Sequence, residues 1–220
     1  MRLSLIIAAH NEGPALWKTV ASCVETCAGL DYEIVVADDA SFDDSLVELR
    51  RRFPSIRLVS VDERQGASPA KDLGAQEARG EVLIFLDGHC KPEDGAIRRL
   101  LEGVEQQQGQ AIITPGIAAL DVERWKSSPR QIGHGYFVEL EDFHCGWLPL
   151  SELHLVQEKR RRFYESPALI GCALALSREL YDDLRGFDPH MRMWGVEDLD
   201  FGLKCWLMGH RILHDPEAIV

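Results

Sequence analysis

The strongest constraint on this chain is the regular alternation of two hydrophobic periods through its first half. Leu3–Ala8 is a continuous apolar run, followed by the polar turn His10-Asn11-Glu12-Gly13-Pro14 and a helical pattern from Ala15 to Cys27. The unit recurs as Ile34–Ala37 and a helix over Asp44–Phe53, Ile56–Val61 and a helix over Gly66–Arg79, then Val82–Leu86 and a helix over Pro92–Gln106, before Ala111–Thr114. Short apolar runs between helices predict parallel strands buried on both sides. The expected fold class is therefore α/β, with a Rossmann-like, mostly parallel sheet and helices on both faces. Right-handed crossovers bring the carboxyl ends of the strands to one edge, where ligands of such sheets bind. The polar loops at 9–13, 38–41 and 87–91 are the first candidates for a site. Pro14 and Pro92 are expected at first helical positions, and Gly80 as a stop signal.

The second half is less regular. Residues 116–167 mix Gly, Pro, His and aromatic residues without a clean period, which predicts a long irregular segment of the kind that is often functional. Ala168–Leu176 reads as a strand, Ser177–Leu184 as a short helix capped by Ser177, and Glu197–Met208 as a helix closed by Gly209. With 220 residues, a single domain is expected.

Composition removes several function classes. Against 36 Asp and Glu stand 24 Lys and Arg, a formal net charge of −12, which opposes any sequence-independent grip on nucleic acid. Anionic small substrates stay open, because a metal ion reverses the potential locally. No apolar run approaches the ~18 residues of a membrane span, and Leu3–Ala9 is too short for the core of a signal peptide. The cysteines at 23, 27, 90, 145, 172 and 205 show no CxxC spacing, so reduced thiols in a cytoplasmic chain are expected.

Three clusters carry candidate chemistry. Asp87-Gly88-His89 ends the strongest strand, and its carboxylate and imidazole suit Mn²⁺ or another divalent first-row ion; the plainer alternative is a turn with Asp87 bonded to the backbone. Asp38 and Asp39 end the second strand, where acidic residues can receive a base N–H or ribose hydroxyls, or can simply favour the following helix N-terminus. Trp194-Gly195 before Glu197-Asp198 sets an indole face beside carboxylates able to act as general base toward an acceptor hydroxyl. The run Glu158–Arg162 is a solvated face or a clamp on a diphosphate.

In order, Asn11-Glu12, Asp38-Asp39-Ala40-Ser41, Phe85-Leu86-Asp87-Gly88-His89-Cys90 and Trp194-Gly195-Val196-Glu197-Asp198 resemble the GT-A fold, family-2-like nucleotide-sugar glycosyltransferases. The Asp-x-His form resembles the polypeptide N-acetylgalactosaminyltransferases. That resemblance implies one GT-A domain over 1–220, with 1–115 binding the nucleotide and 116–220 facing the acceptor. It implies a UDP-sugar donor, a carbohydrate, peptide or small-molecule acceptor, and Mn²⁺ or Mg²⁺ held by Asp87 and His89. Donor contacts are expected from Ala8, Ala9, Asn11, Glu12, Asp38, Asp39, Asp87, Gly88, Trp194 and Gly195. Lys71 falls where such enzymes carry an arginine that reaches the nucleotide. Glu197 and Asp198 are the expected catalytic carboxylates.

Two departures accompany the resemblance. Glu197-Asp198 stands where the N-acetylgalactosaminyltransferases, which retain anomeric configuration, have Glu-Asn; a carboxylate at 198 is a capable base and leans toward inversion. A third metal histidine is expected about two positions past Val220 by spacing, so the chain is expected to stop short of part of its site. His214 is the candidate inside the chain, with a core histidine ending a strand as the alternative. Rival functions are a catalytically impaired nucleotide-binding module and a nucleotidyltransferase, though the acidic loop Ala9–Gly13 lacks the glycine-rich, basic character of the latter.

Overall fold

The computed structural model describes residues 2–139, 141, 144–158, 161–193 and 195–220. The expected positions Trp194, Phe143 and Lys159-Arg160 lie outside the described residues.

The alternating units form β1 (Leu3–Ala9), α1 (Pro14–Thr26), β2 (Tyr32–Asp38), α2 (Ser45–Arg52), β3 (Arg57–Ser60), α3 (Ala67–Glu77), β4 (Val82–Asp87) and α4 (Ala96–Gln106). Then come β5 (Ala111–Asp121), β6 (Lys126–Gly133), β7 (Gly135–Val138), β8 (Cys145–Leu148), β9 (His154–Glu158), β10 (Arg161–Glu165) and β11 (Ala173–Ser177). Helices α5 (Arg178–Asp183) and α6 (Glu197–Leu207) precede β12 (Arg211–Ile219).

The main sheet has the order β3-β2-β1-β4-β11-β5-β12-β10-β9, with β6 pairing β5, while β7 and β8 form a separate ribbon. Strands β1 to β5 and β12 point one way, and β11 runs antiparallel between β4 and β5. All seven residues of β1 are buried because helices cover both faces. Leu3, Leu5 and Ile7 of β1, with Val82, Ile84 and Leu86 of β4, pack under α1, α2 and α4. Ile6, Leu83 and Phe85 face α3, α5 and α6 on the other side. Cys23 and Cys27 belong to the first of these cores, and burial pushes the Cys27 thiol up to about 12. No helix among the described residues is long and apolar enough to cross a membrane.

Three sequence expectations change. Helix α4 starts at Ala96 rather than Pro92, because Gly95 adopts φ 77° and reverses the chain just before it. Residues 116–167 are not irregular: β5 continues to Asp121, and β6 to β10 follow. The strand expected from Ala168 begins at Ala173, after a turn at Gly171-Cys172. Ser177 does cap α5, accepting from Leu180 N at 3.0 Å.

Candidate active site

Parallel register sets the site. Ala9 lies beside Asp38, and Ala8 beside Asp87, so the loops after β1, β2 and β4 open at one edge. The loop after β3, residues 61–66, joins them.

A cavity of about 210 Å³ forms there, with Ala8 and Ala9 as its floor and Glu12, Asp39, Asp87 and His89 on its walls. The carboxylate of Asp39 accepts from Gln65 N at 2.6 Å and Gly66 N at 2.8 Å, holding the β3 loop against the cavity. The carboxylate of Asp38, expected at the nucleotide, accepts from Ser41 N at 3.2 Å and is not among the residues that line the cavity. Asn11, at φ 54°, receives Phe42 N at 2.9 Å and fastens the β1 loop to the β2 loop. It too supports the cavity without lining it. At Gly66, φ is 116° and a side chain would collide with the Met193 backbone, so glycine lets the 193 segment close over this edge.

Asp87 and His89 both line this cavity. His89 Nδ1 lies 3.0 Å from Glu12 Oε2, and that hydrogen bond, ahead of the opposing effect of burial, raises the imidazole pKa. The arrangement orients the ring and leaves Nε2 as its open donor, the carboxylate–histidine geometry of metal sites. A side chain at Gly88 would place its Cβ 2.5 Å from Glu12 Cγ, so glycine makes room for that carboxylate. Burial raises the Asp87 carboxyl, with Lys71 opposing. Among the described residues no three His, Cys, Asp or Glu converge as a metal cage. The donor set is one carboxylate and one imidazole, which fits an ion that takes its remaining ligands from water and substrate phosphates.

A second cavity, about 400 Å³, lies across Asp87 and Glu197, which line both. Its far wall is Tyr136 of β7 and Cys145 of β8; its near wall is Gly171, Gly195 and Asp198. Asp198 Oδ2 accepts from Gly171 N at 3.0 Å and Oδ1 from Leu199 N at 2.8 Å, which fixes the carboxylate at the start of α6. Burial first, then the charge of Glu197, raises its pKa above the usual aspartate value. A raised pKa makes a carboxylate the stronger base once it is ionised.

Two expected residues are corrected. Lys71 does not reach into the smaller cavity: it is 1% exposed and bonds Gly171 O at 2.9 Å and Glu197 Oε1 at 3.0 Å. Arg64, in the β3 loop, lines that cavity instead. His214 is not a third ligand. It sits in β12, three strand spacings or roughly 14 Å from β4, fully buried, with Nε2 3.0 Å from His134 Nδ1. The core-histidine alternative is the one observed.

Burial, reinforced by His134, pushes the His214 pKa down to about 3. The unfolded chain takes up a proton below about pH 6.5 that the folded chain refuses, so this contribution is full above that pH and shrinks below it. We expect a loss of about 2 kcal/mol between pH 6.5 and 5 from this site. Urea midpoints should fall more steeply with acid in the parent than in His214→Gln. Parallel slopes would refute the assignment.

Sequence reasoning missed Arg64, His10 and Met193 on the donor side and Gly171 on the other. For Arg64 the available signal was its loop, a fourth strand-end loop at the same edge. The basic run proved structural at Arg161, which pairs with Glu102 of α4 and lies 3.8 Å from buried Asp215.

The family model described as "Glycosyl transferase family 2" matches residues 4–185. Polypeptide N-acetylgalactosaminyltransferase 3 of Taeniopygia guttata is 32% identical over 231 residues, covering 99% of this chain and 37% of that protein. Polypeptide N-acetylgalactosaminyltransferase 12 of Mus musculus is 31% identical over 228 residues, covering 98% and 38%. The chain thus spans little more than a third of the length of these relatives. The crystal structure of GalNAc-T7 with UDP, GalNAc and Mn²⁺ superposes with a TM-score of 0.85 at 25% identity, over 99% of this chain and 42% of that one. S. aureus TarS 1-349 shares the fold, with a TM-score of 0.68 at 16% identity, over 100% of this chain and 59% of that one.

Proposed function

The chain belongs to glycosyl transferase family 2, and from that premise we propose that it is a metal-dependent glycosyltransferase that moves a sugar from a UDP-sugar to an acceptor hydroxyl. The observation that carries this reading is the pair of cavities meeting at Asp87 and Glu197. One, about 210 Å³, is bordered by the loops that end β1 to β4 and holds Arg64, Asp87 and His89; the other, about 400 Å³, opens onto the Asp198 carboxylate.

In this reading the N-terminal half, 1–115, binds the donor. Ala8 and Ala9 floor the nucleoside pocket, Asp39 holds the loop that presents Arg64, and Arg64 supplies positive charge to the diphosphate or ribose. Asp87 and His89, the latter oriented by Glu12, hold Mn²⁺ or Mg²⁺. When bound, the ion neutralises charge on the departing nucleoside diphosphate. The half 116–220 shapes the acceptor side through Tyr136, Gly195 and Asp198. Asp198 takes the proton of the acceptor hydroxyl as its oxygen bonds to the anomeric carbon and the bond from that carbon to the diphosphate breaks. Glu197, held by Lys71, faces the sugar between the cavities. The GalNAc-T7 structure with UDP, GalNAc and Mn²⁺ supports the donor and metal choice.

The test is a panel of UDP- and GDP-sugars with Mn²⁺, reading released nucleoside diphosphate. Release from a UDP-sugar is expected. UDP binding without any release would select the catalytically impaired alternative.

A further inference from the structure

Five carboxylates border the two cavities, Glu12, Asp39, Asp87, Glu197 and Asp198, and Asp39 alone among them is spent on the backbone of the β3 loop. Like charges this close repel strongly in a water-poor site. One ammonium lies among them. Lys71 reaches from α3, with its side chain 2% exposed, and lies 3.0 Å from Glu197 Oε1 and 3.7 Å from Asp87 Oδ1. It also donates to Gly171 O at 2.9 Å. The Gly171 peptide is gripped from its other side, since its N–H donates to Asp198. A single cation therefore ties the end of β4, the turn before β11 and the first turn of α6.

The cluster is closed around that cation. A Cβ at Gly171 would stand 3.0 Å from Lys71 Nζ, 3.1 Å from Asp198 Cβ and 3.2 Å from Glu197 Oε1. Below it the Phe187 ring lies 5.5 Å from Nζ, so the ammonium rests on apolar core rather than water. Its three polar neighbours, the carboxylates of Glu197 and Asp87 and the Gly171 carbonyl, are all acceptors, the surroundings of an ammonium donor.

We propose that Lys71 is a built-in counter-cation: it positions Glu197 and the Gly171 peptide for turnover and, by opposing charge, holds down the affinity of Asp87 for a divalent ion. The inference deepens the reading above, on which it rests for the presence of a metal at Asp87. A lysine that served packing alone would slow turnover when lost and would weaken or leave unchanged metal binding. A counter-cation predicts the opposite sign for the metal. A unit positive charge within a few ångströms of a divalent ion shifts its affinity by about tenfold or more, even at a high effective dielectric constant.

The experiment measures Mn²⁺ binding by electron paramagnetic resonance and UDP release kinetics on the parent, Lys71→Met, Lys71→Gln and Lys71→Arg. In both neutral variants Mn²⁺ should bind about tenfold or more tighter, while kcat falls about 100-fold and donor KM moves less than threefold. Lys71→Arg keeps the charge and should keep parent Mn²⁺ affinity to within about threefold. Unchanged or weaker Mn²⁺ binding in the neutral variants overturns the proposal, as does their failure to fold, which would assign the lysine to stability alone. Failure of the functional reading is read separately, on the parent, as absence of UDP release. A parent that binds no Mn²⁺ beside neutral variants that do still supports the counter-cation.

Discussion

Asp87→Ala should lower Mn²⁺-dependent release of UDP from a UDP-sugar by at least about 10³-fold. Asp87 borders both cavities, as Glu197 does, and stands beside His89 at the end of β4. It has no substitute: among the described residues no third His, Cys, Asp or Glu completes a cage with this pair. Glu12 is committed to orienting His89, and Glu197 to Lys71. Alanine also removes the carboxylate 3.7 Å from the Lys71 ammonium, which leaves that charge to Glu197 and the Gly171 carbonyl. The measurement is initial rate against Mn²⁺ concentration, with circular dichroism to establish that the variant folds. Turnover within tenfold of the parent would refute the assignment of Asp87 as metal ligand.

Asp198→Asn should cut kcat by about 10²–10⁴-fold with little change in donor KM, because an amide cannot take the acceptor proton. The substitution keeps the shape, and its oxygen still accepts one of the two backbone N–H groups, from Gly171 or Leu199. The pH profile carries a second signature. A general base works only when deprotonated, so the parent rate should fall as pH drops through the Asp198 pKa, which burial and Glu197 lift above 3.8. The residual activity of the variant should lack that limb. Product analysis by NMR decides the stereochemistry, with inversion at the anomeric carbon expected. A loss below tenfold together with retained configuration would move the role of Asp198 from base to acceptor-positioning group.

The donor half was readable in the sequence because its strands are covered on both faces. Burial of all of β1 and nearly all of β4 yields uninterrupted apolar runs that only a helix-flanked sheet produces. The polar residues that punctuate those runs therefore had to sit at the site edge, as Asp39, Asp87 and His89 do. Strands β6 to β10 were hidden for the converse reason. They lie at the margin of the main sheet or in the separate β7–β8 ribbon, and exposure along β6 leaves no apolar period to read. Lys71 shows a different failure. Spacing matched it to a nucleotide-contacting arginine, yet it falls in the inward stripe of α3 with Ala70, Gly74 and Ala75. The helical period of that stripe, which the sequence contains, is the signal that would have placed it inside. His214 was indistinguishable from a ligand until its neighbour His134, 80 positions away in sequence, came into contact.

The β7–β8 ribbon keeps its own ladder, and its backbone meets the remainder of the chain at the Tyr136–Ala168 bridge. The wall formed by Tyr136 and Cys145 thus shares few backbone bonds with the sheet that aims Asp87, and Trp147 of the ribbon packs on Gly133 of β6. On the proposed reading, selection can rewrite that wall, and with it what the chain decorates, without moving the residues that handle the sugar nucleotide. Divergence among its kin should therefore concentrate in the ribbon.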